Sequence, residues 1–75
     1  MLTAKVRFPD GSEVVKEVSS VEYNPTEIMG FRGIMLFGTK EGQTTSIFEG
    51  DVYVMNENGK TIADYHLHIP KKGVI

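Results

Sequence analysis

The chain contains no cysteine, which removes thiol nucleophiles, thiolate zinc sites and disulfides together. A secreted domain of this length commonly relies on disulfides to compensate for a thin core, so their absence points to a reducing compartment, and a cytoplasmic location is expected. No apolar run approaches the length that spans a bilayer, and Met1-Leu2-Thr3 opens an alternating segment rather than a basic stretch followed by hydrophobic residues. Neither a membrane span nor a signal peptide is expected. An excess of one charge is missing too: eight basic and ten acidic residues give a net charge of −2, and apart from Lys71-Lys72 the signs are interspersed. That balance argues against a field built for a polyanion.

Catalytic signatures are equally sparse. Ser12, Ser19, Ser20 and Ser46 carry no nucleophile-elbow glycines around them. Gly30-Phe31-Arg32-Gly33 lacks the lysine and the following serine or threonine of a phosphate-cradling loop, and proline in the middle of Asn24-Pro25-Thr26 disqualifies it as a glycosylation acceptor. A domain this small encloses few convergent polar groups, so no enzyme and no cofactor is expected.

What the chain does contain is the grammar of a small β-domain. Seventy-five residues, 40% hydrophobic and 24% charged, suffice for one modest core and not for two; residues 1–70 are assigned to a single domain and 71–75 to a loosely held tail. Asp10-Gly11, Glu41-Gly42 and Asn58-Gly59 supply the positive φ that tight hairpins demand. Between them the runs alternate as strands do. Leu2, Ala4, Val6 and Phe8 fall on one face of a first strand, with Thr3, Lys5 and Arg7 on the other. In the second strand Val14 and Val18 share a parity, whereas Val21 and Tyr23 have the opposite one. A bend or bulge near Ser19-Ser20 reconciles them and lets one long strand serve two sides of a curved sheet.

Asn24-Pro25-Thr26-Glu27 has the composition of a helix start, a capping asparagine followed by proline at the first helical position, with Gly30 as its stop. An irregular Asn-Pro turn is the alternative. Ile34-Met35-Leu36-Phe37 is apolar on both parities and is expected to be covered on both faces. Further strands follow at Thr44 to Phe48, at Val52 to Met55 after a corner at Gly50-Asp51, and from Lys60 to Ile69. In the last, Ala63, Tyr65, Leu67 and Ile69 form the inner face, and Pro70 ends the pairing. The fold class is therefore mainly all-β: a five- to six-stranded antiparallel meander, or a small barrel similar in architecture to SH3-like or OB-like ones, with one short helical connection. Such architectures host unrelated functions.

Three constellations carry chemistry. Asp64-x-His66-x-His68 places three potential metal ligands on one strand face, but a solvated strand face is the commoner meaning of that pattern, and no metal site is assigned. Paired histidines also suggest a pH response. Met29, Phe31 and Arg32, between glycines in a connection, combine residue types enriched at binding hot spots and are the candidate partner-binding residues; their alternative role is to plug one end of the fold. Lys5, Arg7 and Lys16, with Tyr23 or Phe31 nearby, would form the basic and stacking surface of a nucleic-acid-binding barrel.

The function that fits best is a small intracellular protein-interaction or assembly module acting by edge-strand or loop contacts. Self-association as a homodimer or higher ring, or binding to another protein, would protect its strand edges. Small disulfide-free chains of this kind are frequent among accessory proteins of phages and mobile elements. Nucleic-acid binding is the alternative class.

Overall fold

The computed structural model describes residues 1–28, 31–40 and 42–68, without the side chains of residues 27, 28 and 31. Every regular element in it is a strand: β1 (Leu2–Arg7), β2 (Glu13–Val18), β3 (Ser20–Ile28), β4 (Phe31–Phe37), β5 (Thr44–Ile47), β6 (Gly50–Met55) and β7 (Thr61–Leu67). They form two antiparallel sheets, one of four strands in the order β2-β1-β6-β7 and one of three in the order β3-β4-β5. Among the described residues no helix is long and apolar enough to cross a membrane.

The alternation in the sequence becomes the inner and outer faces of these sheets. Ala4, Val6, Val18, Val52, Val54 and Leu67 from the four-stranded sheet meet Ile34, Leu36 and Ile47 from the three-stranded one in a single buried cluster, with Leu2, Phe8, Val21, Ala63 and Tyr65 packed around it. Each fully buried aliphatic side chain contributes roughly 1.5–3 kcal/mol, so a core of this size gives a modestly stable domain. β4 is the centre of its sheet as its composition implies, yet only Ile34 and Leu36 are buried; Met35 and Phe37, on the other parity, are half-buried.

Glycine supplies the turns. Gly11 and Gly59 take positive φ, at 91° and 79°, as their hairpins require. Gly50 does more, because its φ of 140° turns the chain out of β5 in one sheet and into β6 in the other, and a Cβ there would lie 2.6 Å from the Arg7 carbonyl oxygen.

Three features depart from the expectation. Among the described residues the strands number seven because the bend at Ser19 splits the long second strand into β2 and β3. Neither a continuous meander nor a closed barrel results, since β6 pairs with β1 across the chain and the two sheets share no ladder. Residues 24–28 are strand rather than a short helix. Their register against β4 shifts between Asn24 and Ile28, and that irregularity accommodates Pro25, which has no N–H to give to a ladder. Gly30 and the 71–75 tail lie outside the described residues.

Gly50→Ala is expected to cost roughly 2–3 kcal/mol of unfolding free energy, read by urea denaturation. A loss below about 0.5 kcal/mol, the range of neutral surface substitutions, would show that the Gly50 corner is not a constraint.

Candidate functional site

On the outer face of the four-stranded sheet, strand register lines up a row of alternating charge. Glu13 on β2 lies opposite Arg7 on β1, Arg7 opposite Asp51 on β6, and Asp51 opposite His66 on β7. The contacts follow the register: Arg7 Nη2 is 2.7 Å from Glu13 Oε2, and His66 Nδ1 is 2.7 Å from Asp51 Oδ1. Lys5 Nζ also approaches Glu13, at 3.7 Å. Arg7 and Lys5 thus converge on one carboxylate, while Lys16, on the opposite parity, reaches Thr45 Oγ1 at 3.2 Å. The basic surface expected of a nucleic-acid binder is split between two faces, and its outer half is paired with Glu13.

At the β7 end of the row the histidines are tied to carboxylates. His66 Nε2 lies 3.0 Å from Asp64 Oδ2, so both nitrogens of its ring face carboxylate oxygens. Ionised carboxylates only accept hydrogen bonds, and the pair is fully satisfied when both ring nitrogens donate, which is the imidazolium form. Asp51 and then Asp64 accordingly hold the His66 pKa above its ordinary value of 6.5. His68 Nε2 reaches the same Asp51 oxygen at 3.1 Å. The bond from His66, followed by that from His68, holds the Asp51 carboxyl below its ordinary range. Tyr53 meets the His66 ring edge to face at 5.8 Å. Among the described residues no group of three or more histidine and carboxylate side chains is arranged to hold a metal ion; here the ring nitrogens and carboxylates are directed at one another.

Of the candidate partner-binding residues, Met29 lies outside the described residues, as does the side chain of Phe31, whose backbone begins β4. Arg32 is half-buried and donates from Nη2 to the His68 carbonyl at 2.9 Å and from Nη1 to the Phe48 carbonyl at 3.5 Å. Its guanidinium thereby joins β4 to the end of β7 and to the corner after β5. Tyr23 makes a parallel link, its hydroxyl donating to the His66 carbonyl at 3.0 Å while its ring stacks on Tyr65 at 5.1 Å.

The sequence reading missed two features. Asp51 joins the histidines only through the β6–β7 register, and because that register shifts between Val54 and Met55, counting back from the Asn58-Gly59 turn sets it opposite Tyr65 instead. The second is a cleft of about 470 Å³ where β2 separates from the β4–β5 hairpin, with Val18 and Leu36 as its floor, Lys16 and Glu17 on one wall and Gln43, Thr44 and Thr45 on the other. It follows from tertiary packing alone and has no motif.

No protein family, curated protein or solved structure gives a match to this chain.

Linkage fixes the pH response of the histidine cluster. The raised His66 contributes stability that is fully present below about pH 6.5 and is lost as pH rises through its folded value; the lowered Asp51 contributes stability present above about pH 3.8 and lost as pH falls through its folded value. The thermal midpoint of the wild-type chain is therefore expected to fall as pH rises above 6.5, and His66→Gln to remove most of that slope. An unchanged slope in the variant would contradict the assignment. Because the ring nitrogens are already engaged, zinc is expected to leave the midpoint unmoved; a saturable rise that disappears in His66→Ala would overturn this.

Proposed function

We propose that this chain is a small protein-interaction module that takes up an extended segment of a partner along the free edge of β2. The observation that carries the reading is a difference among the four strand edges. On β3 the edge is interrupted by Pro25 and a register shift, and β5 has only four residues. β7 carries a register shift opposite Val54/Met55, and carbonyls at its end are taken by Tyr23 and Arg32. Proline, bulges, shortness and cover are the usual devices that keep sheet edges from pairing. Among the described residues β2 has none of these, and the one edge device it carries is its charged side chains Glu13, Lys16 and Glu17. Its ladder with β1 is unbroken from Leu2↔Val18 to Arg7↔Glu13.

Backbone phase identifies which groups are free. The Phe8 N–H donates to the Ser12 carbonyl at 2.9 Å, and in an antiparallel ladder hydrogen-bonded pairs then recur every second residue. Val14, Lys16 and Val18 exchange bonds with β1, whereas Glu13, Val15 and Glu17 turn their N–H and C=O groups outward. Val15, in the middle of that row, is 62% exposed. An added strand would meet main-chain donors and acceptors along its length and an aliphatic side chain at its centre, the combination that gives edge addition its affinity.

The test is light scattering over a concentration series together with a nuclear magnetic resonance titration by an acetylated and amidated Thr-Val-Thr-Thr-Val peptide. At high concentration two copies present the same edge to each other, so the mass is expected to rise from 8.4 kDa toward twice that value, and Val15→Lys to hold it at the monomer. The peptide is expected to shift the amides of Val15 and Glu17. A wild-type chain that stays monomeric into the millimolar range, with those amides unmoved by the peptide, would contradict the reading.

A further inference from the structure

The cleft beside the C-terminal half of β2 is chemically asymmetric. Its floor, Val18 and Leu36, is aliphatic and almost fully buried, at 1% and 2% exposure. Above the floor stands Lys16, the one charged side chain of β2 that follows the inward parity of Val14 and Val18. Among the described residues its ammonium has no carboxylate within ion-pair distance and rests on a neutral hydroxyl, Thr45 Oγ1, at 3.2 Å. The other cations of this sheet are differently placed: Arg7 and Lys5 are both committed to Glu13. The hydroxyls of Thr44 and Thr45 and the side chain of Gln43 complete the opposite wall. Glu17, also at the cleft, belongs to the outward parity.

Resting on the edge-addition reading above, we infer that the segment taken up beside β2 is a chain terminus whose α-carboxylate pairs with Lys16. The backbone and the carboxylate of such a ligand each meet a matching group. The extended backbone continues the ladder on the outward groups of Val15 and Glu17. The carboxylate replaces the threonine hydroxyl as the partner of the ammonium and gains hydroxyl donors from the facing wall, a charge-assisted arrangement stronger than the neutral one it displaces. An internal segment would leave the ammonium facing a neutral amide. The preference for a terminus is therefore electrostatic, and it weakens as salt screens it.

The experiment compares two forms of one peptide, acetyl-Thr-Val-Thr-Thr-Val with a free C-terminal carboxylate and the same peptide amidated, each titrated into wild type, Lys16→Gln and Lys16→Arg. Wild type is expected to bind the acid about tenfold more tightly than the amide, with the difference shrinking between 20 mM and 500 mM salt. Lys16→Gln is expected to bind both forms alike, and Lys16→Arg to keep the preference. Lys16 is exposed, so folding of the variants is checked by their unchanged circular dichroism. Equal binding of acid and amide by wild type, with shifts at Val15 and Glu17, would overturn the carboxylate inference while leaving edge addition intact. Binding of neither form would also overturn it, and the light-scattering series then decides the edge reading separately. A preference for the acid that survives in Lys16→Gln would move the carboxylate to other donors and equally overturn the assignment to Lys16.

Discussion

The architecture depends on one bend. At Ser19 the chain leaves the four-stranded sheet and enters the three-stranded one, and the hydrogen bonds of that residue fix where it does so. The Ser19 N–H donates to the Phe37 carbonyl at 2.8 Å, and its hydroxyl lies 3.2 Å from the same oxygen and 3.0 Å from the Gly38 carbonyl. These contacts hold the bend against the end of β4. Beyond it β3 pairs with β4; before it, β4 has already ended and, among the described residues, β2 is left with β1 alone. The free edge of β2 and the cleft beside it are thus consequences of the bend, and the serine that sets it also sets the position of the opening.

Side-chain hydrogen bonds to main-chain carbonyls tie the two sheets together. At the far end Tyr23 and Arg32 reach from β3 and β4 to the carbonyls of His66 and His68, closing the side where β7 would otherwise be bare. On the outer face the Glu13, Arg7, Asp51 and His66 row runs across all four strands. Exposed ion pairs contribute little to stability individually. In this setting their effect is on register, because a slip of one residue would send the whole row to the other face and set the buried valines in water. Of the row's four groups only His66 is an imidazole, and its carboxylate neighbours hold its pKa above the ordinary value of 6.5. Its pH response is confined to the edge opposite β2.

Much of this was legible in the sequence, and the limits have physical causes. Period-two alternation assigned the inner faces of β1 and β7 because both strands have one wet side, and the parity change between Val18 and Val21 located the bend to within a residue. Glycine after an acidic or amide residue marked the turns, and Gly50 marked the corner between sheets. Pro25 misled because proline fits the first turn of a helix and an edge strand equally well, and only the partner strand decides between them. The pairing of β1 with β6 is a contact between distant parts of the chain that no local pattern encodes. Closure into a barrel was inferred from curvature alone, whereas the number of strands on each side of the bend determines whether the edges meet. The Asp64, His66 and His68 pattern was visible, but its meaning rests on Asp51, which a register shift brings opposite His66. Lys16 looked like one of three basic residues on a wet face; its parity, shared with Val14 and Val18, was the overlooked sign that it points elsewhere.

The central claim is that β2 is an unpaired edge, and amide hydrogen exchange measured residue by residue in a dilute monomeric sample tests it most directly. Protection is expected to alternate along β2, with Val14, Lys16 and Val18 exchanging slowly and Val15 and Glu17 exchanging at rates near those of an open chain. Slow exchange at Val15 and Glu17 in the monomer would mean that another part of the chain already covers this edge, and would contradict the account.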